Sequence, residues 1–147
     1  MKINVPEEYW TVSLNELPRR ELDSVLDLYR ESFEVGVLQR AESGLDLFEI
    51  EDSVLNESFF LGEIAVSQCQ LEVTHLESGV EVLGFCKVME DSTAQASSLA
   101  LADAMLRIEV DFPELEMALE DGYQKWKERL DTRKLLLAQT QIKFSLL

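Results

Sequence analysis

The sequence predicts an α+β fold in which an antiparallel sheet with a long central hairpin is flanked by an N-terminal helix and two C-terminal helices. Two observations predict it: apolar residues recur at helical spacing near both ends, and polar and apolar residues nearly alternate over residues 61–88. A length of 147 residues suits one domain. We therefore predict a single domain over residues 1–147, with a C-terminal helical extension at about 113–144.

The N-terminal elements are predicted from the spacing of apolar residues. Pro18 suits the first turn of a helix, and the apolar residues after it share one helix face: Leu22, Val25, Leu26, Tyr29 and Phe33. A shorter helix is predicted at about residues 9–17. Two short strands are expected next, at residues 35–39 and 45–50, because a Ser-Gly turn signal at residues 43–44 separates them.

The central hairpin is predicted from near-alternation on both sides of a turn at residues 77–79. One face of the first strand carries Cys69, Leu71 and Val73, and its other face is polar. This pattern is typical of an antiparallel hairpin with one face toward solvent. Gly84 interrupts the apolar face of the second strand, which indicates a bulge or the close approach of another backbone.

An alanine-rich helix is expected after the hairpin, running to about Ile108. Asp91 or Ser92 can cap it, because their side-chain oxygens accept hydrogen bonds from free N–H groups at a helix start. Its small side chains allow close packing on a sheet. The helix is therefore predicted to cover the hairpin.

The last helix is expected to begin at Pro113 and to face a partner. Acidic residues lie in its first turn and basic residues come later, an order that complements the helix dipole. Gly122 is expected to kink or break it. A helix of this length exceeds what so small a domain covers, so we expect its apolar seam, including Trp126 and Leu130, to dock partly onto another chain.

Charge narrows the range of partners. The net charge is −16, and residues 41–106 hold 13 acidic residues and one basic residue, Lys87. Such a surface repels phosphates, so we expect neither nucleic acid nor anionic membrane as a partner. It is either simply solvated or matched to a basic partner protein. No apolar run is long enough to span a membrane, the first residues lack a secretory signal, and two cysteines suit a cytoplasmic protein.

The residue types that carry most catalytic chemistry are scarce. His75 is the single histidine, lies near the predicted turn, and has no Cys or His at metal-ligand spacing. Cys69 and Cys86 are expected to be buried thiols facing each other across the hairpin. No glycine-rich phosphate loop occurs. We therefore assign no catalytic residue, no metal site and no cofactor.

Several short segments follow one another in a distinctive order. Residues 41–45 read Ala-Glu-Ser-Gly-Leu and residues 60–63 read Phe-Leu-Gly-Glu, both ahead of the strand with Gly84. The alanine-rich helix carries Asp103, and residues 140–144 read Thr-Gln-Ile-Lys-Phe. Together their order and spacing resemble the G subunit of the carbon–phosphorus lyase core complex, the PhnG family of phosphonate metabolism, over nearly the whole chain.

The resemblance implies a cytoplasmic α+β subunit that joins I, H and J subunits. With the I subunit it would support transfer of a phosphonate onto the ribose of ATP, giving ribose 1-phosphonate 5-triphosphate and adenine. The chemistry would belong to the I subunit, so this chain would be a scaffold without a complete active site. The positions that match the family pattern are Glu42, Gly44, Gly62, Glu63, Asp103 and Phe144. A structural role stays open for them: turn geometry for the glycines, a helix-surface carboxylate for Asp103.

Three arginines of the family pattern are replaced here, by Gln68, Asp91 and Gln141. Neither Gln nor Asp reproduces the bidentate fork of an arginine. A direct contribution to holding phosphonate or triphosphate is therefore not expected. Either the partner surface compensates, or this is a divergent member with a different role.

Two further hypotheses stay open. One is an acidic interaction module of the inhibitor or immunity type, unrelated to phosphonates, whose binding would depend strongly on salt. The other is a small enzyme that uses clustered carboxylates with a hard divalent metal. A homodimer would also cover the exposed seam.

Overall fold

The computed structural model describes residues 3–52, 57–108 and 110–139. Short 3-10 turns at Glu7–Tyr9 and Arg30–Ser32 accompany the main elements. These are α1 (Trp10–Leu14), α2 (Arg19–Asp27), β1 (Phe33–Asp52), β2 (Glu57–His75), β3 (Glu81–Val88), α3 (Thr93–Arg107) and α4 (Pro113–Gln139). The α+β class is confirmed, with an N-terminal helical region, an antiparallel sheet and two C-terminal helices.

The three strands form one antiparallel sheet in the order β1-β2-β3. β1 pairs with β2 from Phe33 opposite His75 to Asp52 opposite Glu57. β3 pairs with β2 only as far as Ser67. Beyond that point β1 and β2 continue as a two-stranded arm, residues 45–52 paired with residues 57–65, which we call the ribbon.

The prediction of two short strands at residues 35–39 and 45–50 is wrong, because β1 is continuous. Ser43 and Gly44 form no turn but pair with β2 opposite Ser67 and Val66. Register shifts on both sides of Gln39 absorb extra residues within the ladder. Pairing with the long central strand thus satisfies backbone groups that the local turn signal would have left to solvent.

The predicted N-terminal helix is correct at its start and too long at its end. Pro18 stands at the N-cap of α2, which ends at Asp27. Tyr29 and Phe33 keep helical spacing in the sequence, yet both leave the helix and pack on Phe112, with ring centroids 5.1 and 5.5 Å from it. Contacts made across the fold therefore override the spacing that suggests one longer helix.

One face of the sheet packs against α3, as predicted from the alternation. Cys69, Leu71 and Val73 are buried beneath this helix. Gly84 is confirmed as a point of close backbone approach, because a Cβ placed there would lie 2.1 Å from the carbonyl oxygen of Ala100. The helix starts at the predicted cap, where the Ser92 side chain accepts a hydrogen bond from the Gln95 backbone N–H at 3.3 Å.

Helix α4 is not broken at Gly122. The glycine instead allows contact with the α1 backbone, since a Cβ there would lie 2.0 Å from the Ser13 carbonyl oxygen. Before it, Leu115 and Leu119 are fully buried. After it, every residue from 131 to 138 is exposed. The predicted extension to residue 144 lies partly outside the described residues.

Candidate functional site

Four of the predicted positions come together on the β1–β2 pair. Glu42 and Gly44 lie at the root of the ribbon, opposite Gln68 and Val66. Gly62 and Glu63 lie on the ribbon itself, opposite Phe48 and Leu47. Gly62 has a φ of 153° and stands at a bulge, a conformation that favours glycine. A structural reason therefore accounts for Gly62, whereas Gly44 occupies regular strand.

Glu42 is exposed and already engaged by two amides. Its Oε1 accepts hydrogen bonds from the side-chain nitrogens of Gln39 at 2.5 Å and Gln68 at 3.1 Å. These bonds, that from Gln68 first, lower the pKa of Glu42 below its ordinary value. The family resemblance implies an arginine at the position of Gln68, so a carboxylate–amide pair stands where a cation is expected.

Ser67 ties the sheet to α3 beside this pair. Its Oγ lies 2.7 Å from the Ser43 Oγ and donates to the Glu90 carbonyl at 2.7 Å. It also accepts from the Ser92 N–H at 2.9 Å. These contacts fix β1, β2 and the start of α3 in one arrangement.

A pocket of about 280 Å³ opens where β3 ends and the ribbon begins. Its lining is mostly apolar: Asp46, Leu47, Phe48, Ile64, Val66, Lys87, Val88 and Met89. Lys87 is the only basic residue in the acidic middle of the chain, and it forms an ion pair with Asp46. The pocket is therefore suited to an apolar side chain rather than to an anion.

Asp103 lies apart from the ribbon and is buried, not a helix-surface carboxylate. It accepts the Phe85 backbone N–H at 3.1 Å and pairs with Arg107 through two bonds of 3.0 Å. Arg107 also donates to Glu7 at 2.5 Å and stacks over the Trp10 ring. Hydrogen bonding to Asp103 raises the pKa of Arg107. This network occupies the outer edge of β3 and joins it to the N-terminal region.

Trp126 and Leu130 lie on α4, which packs against the N-terminal helix α1. Trp126 is half-buried, with its ring 4.9 Å from Tyr9 and 5.8 Å from Tyr123. Arg129 forms an ion pair with Glu16, which ties this part of α4 to the N-terminal helices. Beyond it the helix exposes three consecutive leucines: Leu135, Leu136 and Leu137. Phe144, the remaining predicted position, lies outside the described residues.

The histidine and the two thiols are structural in their surroundings. His75 is buried, hydrogen-bonds Ser78 through Nδ1 at 2.8 Å, and packs on Phe33. Cys69 and Cys86 face each other across the hairpin and are both buried. Burial raises the pKa of the Cys86 thiol to about 12 and also raises that of Cys69. Within the described ranges, no three His, Cys, Asp or Glu side chains cluster as metal ligands.

The exposed apolar side chains of the ribbon are not predicted from the sequence. Leu45 is 65% exposed, Phe60 is 61% exposed, and other large side chains beside them are also exposed: Leu47, Phe48, Phe59 and Leu61. The available signal is the similar composition of residues 45–50 and 59–64, both rich in Leu, Ile and Phe. The predicted turn at residues 43–44 joins residues 45–50 to residues 35–39 and so separates them from residues 59–64 in the predicted fold.

Comparison with known families decides the relationship. The family model described as phosphonate metabolism protein PhnG matches residues 7–147. The chain belongs to the PhnG family. Its role therefore lies in phosphonate metabolism. No curated protein matches the sequence significantly. Among the described parts of this PhnG-family chain, no helix has the length and hydropathy needed to cross a membrane.

Proposed function

We propose that this PhnG-family protein is a non-catalytic subunit of a cytoplasmic carbon–phosphorus lyase complex. It supports transfer of a phosphonate onto the ribose of ATP, which gives ribose 1-phosphonate 5-triphosphate. Its partners are an I subunit, which carries the chemistry, together with H and J subunits. The family match over residues 7–147 is the observation that carries this proposal.

The engagement of its reactive groups supports a scaffolding role. His75 is held by Ser78 within an aromatic cluster, and burial disfavours the thiolate form of Cys86. Asp103 and Arg107 neutralise each other at a strand edge. Each of these groups is buried or already paired, which disfavours attack on a substrate.

The exposed end of α4 supports docking onto the I subunit. Leu130 and Leu137 are seven residues apart and therefore share one helix face, which continues the buried seam of Leu115 and Leu119. The side chains of residues 131–138 are exposed. In proteins most of the stability of a helix comes from packing of an apolar face, so the exposed leucines at this end of α4 favour contact with a partner.

Co-expression with an I-type subunit from the same genome, followed by size exclusion with light scattering, tests this function. We expect a stable complex for the natural chain and loss of that complex for Leu130→Glu/Leu137→Glu. Gln124→Glu/Thr132→Glu is the matched control, since it adds the same charge at exposed polar positions of α4. Trp126→Glu is less informative because it also breaks packing on Tyr9.

Two results would count against the proposal. Separate elution of the natural chain and the I-type subunit would leave only the family relationship, and the acidic interaction module would become the leading hypothesis. Retention of the complex by the leucine double variant would remove the α4 seam as the contact.

A further inference from the structure

The ribbon is an apolar arm whose large side chains are exposed in the described structure. Its β1 strand, residues 45–52, has eight residues, which corresponds to about 26 Å of strand. A two-stranded ribbon is at best marginally stable in water. We therefore expect another surface to pack against the ribbon and stabilise its two strands.

Both faces of the ribbon carry large apolar side chains. Residues opposite each other in an antiparallel pair project to the same face, so Ile50 and Phe59 share one face. Leu45 and Leu47, two residues apart on β1, share the other. An ordinary sheet of this kind packs one face and leaves the other polar. Here both faces are apolar and exposed, which suits insertion into a groove rather than flat contact.

The charge of the ribbon defines the chemistry of the groove. Six acidic residues and no basic residue lie between positions 45 and 64. Lys87, the nearest cation, is already paired with Asp46. A second ribbon would bring like charge against this one, so a symmetric contact between ribbons is disfavoured. A groove that presents lysine and arginine side chains is complementary to the negative charge of the ribbon.

The β2 edge of the ribbon also carries backbone N–H and C=O groups that can pair with another chain. No strand pairs with β2 beyond Ser67 on the β3 side within the described residues, so backbone groups of residues 57–66 are open there. An extended segment of another protein can add to such an edge by main-chain hydrogen bonds. The apolar pocket lined by Phe48, Ile64 and Met89 lies beside this edge and can receive one of its side chains.

We propose that the ribbon is a docking arm for a partner subunit whose groove is apolar at its centre and lined by lysine and arginine side chains. The inference rests on the proposed function, because it assigns a second contact surface within the same assembly. It is separate from the α4 seam, which lies on a different part of the chain and has mixed charge.

The test measures affinity for the I-type subunit, the probe, at several salt concentrations. Phe48→Ser/Phe60→Ser removes exposed apolar area, and Glu49→Lys/Glu51→Lys reverses two exposed charges. Glu77→Lys/Glu81→Lys is the matched control, since it changes the net charge equally at the opposite end of the sheet. We expect both ribbon variants to bind about tenfold more weakly or worse, with little change for the control. The charge variant should also show a weaker salt dependence.

Hydrogen exchange on the natural protein provides a measurement that needs no variant. Amides of residues 45–52 and 57–65 should exchange more slowly in the complex than in the free chain. Unchanged exchange, or natural affinity of both ribbon variants, would overturn the arm while leaving the α4-based function intact. A free chain that is a dimer, and that the ribbon variants convert to monomer, would assign the arm to a second copy instead. No complex with the I-type subunit at all would overturn the proposed function and the arm together.

Discussion

Gly84→Ala tests whether β3 and α3 touch through their backbones. The added Cβ would lie 2.1 Å from the Ala100 carbonyl oxygen and 2.8 Å from the Ala104 Cβ, whereas real Cβ contacts stay beyond 3.0 Å. Both atoms are fixed to the helix backbone, so no rotamer change relieves the clash. Strand and helix must therefore separate by about 1 Å.

The energetic cost follows from that separation. Overpacking a core costs about 1–3 kcal/mol, and a backbone clash belongs at the upper end of that range. The same movement would stretch the hydrogen bond from the Phe85 N–H to Asp103, now 3.1 Å. Replacing glycine by alanine recovers about 0.4–1 kcal/mol through the unfolded state. We expect Gly84→Ala to lower the free energy of unfolding by about 2 kcal/mol.

Urea unfolding followed by tryptophan fluorescence measures this change, since the chain has two tryptophans. Gly44→Ala is the control, because it also lies in a strand and its added Cβ meets nothing within 4 Å. We expect the control to be neutral or more stable by about 0.5 kcal/mol. A Gly84→Ala curve that overlies the natural one would refute the close approach of β3 and α3.

The close packing of α4 on α1, the two buried thiols and the Ser67 hydroxyl can each be tested by one substitution or reagent. Gly122→Ala should lower the unfolding midpoint in urea, because the added Cβ would meet the Ser13 carbonyl. This clash should outweigh the helix propensity of alanine, which favours alanine over glycine by about 1 kcal/mol. A raised midpoint would contradict this packing. Cys69 and Cys86 should resist a thiol reagent at pH 8 in the folded protein, since burial raises their pKa values and leaves little thiolate. Both should react once urea unfolds the chain. Rapid labelling of the folded protein would show that the thiols are accessible. Ser67→Ala should cost about 1 kcal/mol of stability by calorimetry, because it removes the hydrogen bonds that this buried hydroxyl makes to Glu90 and Ser92. An unchanged melting temperature would count against this role.

Features set by local periodicity can be predicted from the sequence. The alternation places Cys69 and Val73 on the buried face, and Ser92 is a recognisable helix cap because it precedes the alanine-rich segment. Gly84 is recognisable as a close approach, because it leaves a gap in an apolar strand face that a neighbouring backbone can fill. In each case the residues that form the signal are also those that make the contact.

Features set by distant partners could not be predicted. The turn signal at residues 43–44 is sound locally, but β2 supplies a ladder that outweighs it. Gly122 indicates a break when taken in isolation, yet the α1 backbone requires it. Tyr29 extends a helical pattern in the sequence while its ring packs on Phe112. None of these partners lies within a helical turn or two of the residue concerned.

The candidate site shows the same division. Glu42 and Gly44 are neighbours in sequence and remain together at the ribbon root. Asp103 belongs to a separate structural network. This network includes the nearby Arg107 but also Glu7, which is distant in the sequence. The similar composition of residues 45–50 and 59–64 is a sequence signal for the ribbon, but that its apolar side chains are exposed follows only from the pairing of its two strands.

The supporting role of this chain is best tested by a phosphorus NMR assay of ATP with a phosphonate and an I-type subunit, with and without this chain. We expect ribose 1-phosphonate 5-triphosphate to accumulate when this chain is present and to form far more slowly when it is absent. Leu130→Glu/Leu137→Glu should resemble omission of the chain. Equal rates of product formation with and without the chain would contradict its role as a supporting subunit.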